Sequence, residues 1–97
     1  MAIFFMFGKY TSGAIKKISA TRTEQVISEI KKIGGEVNDM HALLGEYDLL
    51  LCVTLPGIED AIRASVALSK LTEISFTTCP AVAVGTFDRL VASERPS

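Results

Sequence analysis

Ile3-Phe4-Phe5-Met6-Phe7 and Leu49-Leu50-Leu51-Cys52-Val53 are the stretches that decide the fold. A β-strand with one wet face alternates apolar and polar residues, whereas a strand covered on both faces reads as an unbroken apolar run. Both stretches are of the second kind. They predict two strands, Ile3 to Tyr10 and Tyr47 to Leu55, in the middle of a sheet. The helical segments of the chain suffice to cover one side of such a sheet. The most economical cover for the other side is a second copy of the same protein.

Outward from these strands, Thr11-Ser12-Gly13 makes a turn and Ala14 to Ile18 a short helical turn. Thr21-x-x-Glu24 has capping-box spacing and predicts the start of the first main helix. Its apolar stripe is Val26, Ile27, Ile30 and Ile33, and Gly34-Gly35 stops it. A strand over Glu36 to Leu44 is interrupted by Asn38, Asp39 and His41, as suits a sheet edge. Gly45-Glu46 fits a two-residue type II′ hairpin into the second apolar strand. After Pro56-Gly57, a helix over Ile58 to Leu71 is expected to turn Ile58, Ala61, Ile62, Ser65, Val66, Leu68 and Ser69 inward. Glu59 and Arg63 would pair on its outer face. Ile74 to Cys79 alternates as the second edge strand, with Pro80 as its stop. Thr86 to Val91 has the pattern of a short helix that packs on a partner or on the sheet edge. One domain over 1–92 and a frayed tail over 93–97 complete the reading.

The order β-α-β-β-α-β is the split βαβ arrangement of ferredoxin-like α+β domains, a four-stranded antiparallel sheet with both helices on one face. That topology puts the first and third strands at the centre. They are the two that composition marks as doubly covered.

Which alternate set of each central strand faces away from the helices is a separate question. In the third strand, Tyr47, Leu49, Leu51, Val53 and Leu55 are the greasier set and are assigned to the helix side. That leaves Leu50, Cys52 and Thr54 for the open face. The first strand offers Phe4 and Met6, or the alternate pair Phe5 and Phe7, and its pattern does not choose. The expected association face is set down as Phe4, Met6, Leu50, Cys52 and Thr54, with Phe5 and Phe7 as the alternate pair from the first strand. An RNA-binding sheet of this topology needs Lys and Arg beside its aromatic residues, and the third strand has none.

A chain of 97 residues that is 48% hydrophobic has little interior in which to hide its apolar side chains. Ten basic and eleven acidic residues, without a long run of either sign, provide no electrostatic footprint for nucleic acid or an anionic membrane. No segment approaches the roughly 20 apolar residues that cross a bilayer. The N-terminal apolar stretch lacks the preceding basic region of a signal peptide. Cys52 and Cys79, without CxxC spacing, read as buried free thiols of a cytoplasmic protein. A single histidine, His41, and scattered carboxylates do not furnish the convergent ligands of a metal site. No phosphate loop, nucleophile elbow or dinucleotide fingerprint is present, so neither metal nor cofactor is expected.

Lys9-Tyr10-Thr11, Ile15-Lys16, Arg22, Gly34-Gly35 and above all Gly45-Glu46-Tyr47-Asp48 resemble the GYD-domain family over about residues 3 to 90. The resemblance implies a dimeric α+β barrel, in which two ferredoxin-like sheets stack face to face, and leaves the activity undefined. Asp48 is anomalous beside it, because Asp is disfavoured in strands yet precedes an apolar run here. Its bland role is to tie down the hairpin by accepting hydrogen bonds. Its functional role would be to line, with Tyr47 and Glu46, a pocket whose neighbours are Tyr10, Arg22 and His41. Three functions follow as expectations. The first is a non-enzymatic homo-oligomer, regulatory or binding a small apolar or aromatic molecule. The second is an enzyme of the dimeric α+β barrel kind, a cofactor-free oxygenase or isomerase with proton transfer by Tyr47, Asp48 and His41. The third is a module for association alone.

Overall fold

The computed structural model describes residues 1–93, and its sheet runs in the order β2-β3-β1-β4. The strands are β1 (Ala2–Tyr10), β2 (Glu36–Ala42), β3 (Leu49–Leu55) and β4 (Ile74–Ala81). The helices are α1 (Ser12–Lys16), α2 (Ala20–Lys32), α3 (Ile58–Thr72) and α4 (Val84–Ser93). All neighbouring strands are antiparallel. The two apolar runs occupy β1 and β3, the central strands, as their composition requires. Residues 94–97 of the expected tail lie outside the described residues.

α2 and α3 cover one face of the sheet. The core between them holds Phe4, Met6, Val26, Ile30, Leu51, Val53, Leu55, Ala61, Ala64 and Leu68. Phe4 and Met6 are 2% and 0% exposed, which removes them from the expected association face. The open face takes the alternate pair, Phe5 and Phe7, which lie opposite Cys52 and Leu50 in the ladder. The deciding residue is Gly8, on the same side as Phe4 and Met6. A Cβ there would lie 2.8 Å from Ile74 Cγ2, so this side of β1 is the one pressed against neighbouring side chains.

Several local readings are corrected. α2 is capped by Ser19, whose Oγ accepts from the Arg22 N–H at 3.0 Å, two residues before the expected Thr21. Ser19 is extended at φ −166° and ψ 157°, the geometry an N-cap needs, while Thr21 is already helical. The β2–β3 connection is longer than a two-residue turn, spanning residues 43–48, and Tyr47 falls in it rather than in the strand. β4 runs through Pro80, which pairs with Phe4. An edge strand tolerates proline because one row of its N–H groups has no ladder partner to lose. Arg63 pairs with Asp60 at 3.0 Å, not with Glu59.

The largest correction concerns α3. Its buried row is Ala61, Ala64, Leu68 and Thr72, and the two alanines let the helix approach the sheet closely. Ile58, Ile62 and Val66, expected inward, are 64%, 60% and 50% exposed. The helix presents two apolar rows, and the sheet is wide enough to cover one.

α2 ends as expected. Gly34 has φ +92°, and the Gly35 N–H reaches back to the Ile30 carbonyl at 3.0 Å, closing a Schellman motif. Gly35 serves a second purpose: a Cβ there would lie 2.4 Å from the Thr54 carbonyl oxygen. Gly35→Ala is expected to destabilise the fold by about 1–3 kcal/mol through overpacking against backbone. A urea midpoint equal to that of the native chain would refute this close approach.

Candidate functional site

The open face is built from directly opposed residues, which share a side of an antiparallel sheet. One row reads His41, Leu50, Phe7 and Thr77 across all four strands, and the next reads Asp39, Cys52, Phe5 and Cys79. A third contains Thr54, Ile3 and Ala81. Thr54 Oγ1 accepts from the Asn38 side-chain amide at 2.8 Å, which ties β2 to β3 on this face. The middle of the face is apolar and its rim polar.

Tyr47 joins this face, not the helix side. Its ring lies on Phe7 with centroids 5.2 Å apart and planes inclined at 44°, a tilted aromatic contact. The expected strand alternation placed it wrongly because the strand begins only at Leu49, so period two does not extend to Tyr47.

Asp48 is where the hairpin is fastened. Its N–H donates to the Gly8 carbonyl at 2.8 Å, and its carbonyl accepts from the Leu43 N–H at 2.9 Å. Its carboxylate Oδ2 accepts from the Tyr10 N–H at 2.8 Å. The β1–β3 ladder ends at Gly8 and Leu49, so the Tyr10 N–H has no strand carbonyl on that side. Asp48 supplies the acceptor the ladder lacks. Lys9 Nζ adds a bond to the Glu46 carbonyl at 3.2 Å, while the Glu46 side chain stands in the exposed loop. Asp48→Ala is expected to cost about 1–3 kcal/mol, because it leaves a part-buried N–H without its acceptor. Asp48→Asn, which keeps an oxygen in place, should recover most of that in thermal unfolding; equal losses would point to the charge instead.

Tyr10 and Arg22 lie on the other side of the sheet. Arg22 is 9% exposed; its Nη1 donates to the Ala14 carbonyl, and its guanidinium sits 5.2 Å from the centre of the Tyr10 ring. This cation–π contact fixes α2 against the end of β1 and the last turn of α1. The expected ligand set therefore divides. Tyr47 and His41 are on the open face, Tyr10 and Arg22 on the helix face, and Asp48 joins the two as a tether. Of the three residues expected to share proton transfer, Asp48 accepts from the Tyr10 N–H through Oδ2, Tyr47 lies on Phe7, and His41 stands opposite Leu50.

Cys52 and Cys79, read as buried thiols, flank Phe5 on the open face, one half-buried and the other exposed. Among the described residues, no three His, Cys, Asp or Glu side chains converge as metal ligands. Two clefts lie on the helix side. One of about 350 Å³ includes Lys16, Lys17, Ser19, Arg22 and Gln25 in its wall. The other, of about 310 Å³, is an apolar groove between α3 and β4, walled by Ile58, Ile62, Val66, Phe4 and Pro80. Sequence reasoning missed this groove. The signal was the second apolar row of α3, Ile58-x3-Ile62-x3-Val66, too wide to share one buried face with Ala61, Ala64 and Leu68.

Four antiparallel strands in this order, with α2 and α3 on one face, define a ferredoxin-like α+β domain. The family model of the GYD domain matches residues 4–91, and the chain belongs to that family. Among solved structures, the chain is similar to the leucine response regulatory protein of Mycobacterium tuberculosis, with TM-score 0.57 and 8% identity over 84% of this chain. It spans 51% of that protein's length. It is also similar to a hypothetical protein from Pyrococcus horikoshii, with TM-score 0.55 and 21% identity, covering 86% of this chain and 92% of the other. At these identities the likeness is one of fold. No curated protein matches the chain. Among the described residues, no helix is long and apolar enough to cross a membrane.

Proposed function

We propose that this GYD-domain protein is a non-enzymatic homo-oligomer, assembled through the open face of its sheet, that binds a small apolar or aromatic molecule beside that face. One observation carries the reading: Ile3, Phe5, Phe7, Tyr47 and Leu50 form a continuous apolar surface with no helix packed over it among the described residues. Each such side chain, fully buried from water, is worth roughly 1.5–3 kcal/mol, so half-buried ones retain part of that gain for a partner. A contiguous patch of this kind marks an interface. The Phe7–Tyr47 pair at its end, beside the exposed 43–48 loop, offers ring surface for a flat or branched apolar guest. A regulatory role is the natural use of such a binder, and the fold likeness to a leucine response regulatory protein supports that class.

The native thiols test the assembly. In stacked sheets Cys52 and Cys79 are covered, so their reaction with a thiol reagent should slow as protein concentration rises. A reaction rate independent of concentration, together with a native particle of one chain's mass, would sink the association reading. Binding is tested by titrating leucine and phenylalanine against a Tyr10→Phe chain, whose remaining tyrosine, Tyr47, reports by fluorescence. A saturable change with either supports the reading; flat traces with both remove its binding half.

A further inference from the structure

We infer that α4 is an exchanged arm: it seats its apolar stripe in the α3–β4 groove of a second copy of this chain. This rests on the face-to-face association proposed above and names a second, separate surface for it.

Two unsatisfied surfaces in one chain carry the inference. The first is the groove, with Ile58, Ile62 and Val66 along one wall and Pro80 and Thr78 along the other. No charged side chain lines it. The second is α4, where Val84, Phe87 and Val91 fall at i, i+3 and i+7, one helical face. They are 74%, 55% and 50% exposed on their own subunit. The two rows match in length: Ile58 to Val66 spans roughly 12 Å and Val84 to Val91 roughly 10 Å at 1.5 Å per residue.

α4 makes at most slight contact with the other elements of its own subunit, and the extended shape of the subunit agrees. Its radius of gyration is 15.2 Å, against roughly 12.5 Å for a compact domain of this length. Its longest extent is 57 Å. Two arms in two grooves add buried apolar area to that of the stacked sheets, and the exchange is self-complementary, so it closes at two copies. The route is open because β4 is an edge strand: nothing beyond it separates the open face from the groove.

The test is a disulfide trap in a Cys52→Ser, Cys79→Ser chain. Ile62→Cys and Phe87→Cys versions are unfolded together under reducing conditions, refolded as a mixture and oxidised. A two-chain band on a non-reducing gel in the mixture, absent from either version alone, is the expected result. A chain carrying both cysteines that closes at the mass of one chain would show the arm folding onto its own body, and overturns the inference. No trap in a particle that sediments as two chains overturns it too, while leaving the sheet-face association intact. A native particle of one chain's mass overturns both. As a second readout, Phe87→Asp should raise the dissociation constant about tenfold or more, as loss of an aromatic anchor does; an unchanged constant counts against the arm.

Discussion

A Leu50→Lys chain is expected to sediment at the mass of one subunit, 10.5 kDa, where the association proposed above gives the native chain a larger particle. Leu50 sits between His41 and Phe7 in a row that crosses the whole open face. Stacking two sheets places two copies of that position in one dry layer. A lysine there brings a charge into the apolar middle of the stacked faces, whose acid, Asp39, stands out on the edge strand β2. Burying an unpaired charge costs several kcal/mol even after relaxation. At 1.4 kcal/mol per factor of ten, affinity falls by about a thousandfold or more. The helix-side core does not contain Leu50, so the fold itself should survive, with native far-ultraviolet circular dichroism. The freed subunit should be poorly soluble, because Phe5, Phe7 and Ile3 then face water. A Leu50→Lys chain that associates with unchanged affinity would remove the open face from the interface.

The fold was legible because two requirements coincided. Topology needs β1 and β3 at the centre, and composition makes those two segments apolar on both sides. The uncovered side was readable for β3, where Leu50, Cys52 and Thr54 are less apolar than their alternates. It was not readable for β1, because Phe4, Phe5, Met6 and Phe7 are equally greasy and alternation has nothing to contrast. What separates them is tertiary: Gly8 passes beneath Ile74 and Phe76, and a side chain would collide there. Lys9, on the alternate set, carried the complementary hint that this set ends at solvent.

The candidate site was less legible, for a related reason. Asp48 was singled out as anomalous, with Tyr10 and Arg22 among its neighbours, and these three do cluster around the end of β1. Sequence spacing cannot say on which side of the sheet each lies. Tyr10 and Arg22 meet below it, Tyr47 stacks above it, and Asp48 reaches backbone at its end. The motif that marks the family is, in this chain, a fastening: it holds the 43–48 loop to β1 and thereby sets Tyr47 upon Phe7. Ser19 as the α2 cap and the exposed α3 row were missed because a rival signal was equally good locally, a capping box at Thr21 and a broad apolar stripe.

The neighbouring residue separates the two roles of β3. Leu51→Ala is expected to leave the particle's mass unchanged and to destabilise the fold by about 2–5 kcal/mol, the usual cost of truncating a buried leucine. Leu51 is fully buried, opposite Met6 on one strand and Met40 on the other, in the cluster beneath α2 and α3. Rigid strands on both sides prevent the void from closing, which places the effect in the upper half of that range. A domain of this size is stable by only about 5–15 kcal/mol, so the loss is a large share of the total. Because association adds to apparent stability by mass action, both chains must be unfolded at one protein concentration. Leu50→Ala, one residue away on the other side, should then show the reverse pattern: weaker association and a small change in the subunit's own stability. If the two alanine variants behave alike in both measurements, β3 does not have one core side and one association side, and the stacked-sheet reading loses its foundation.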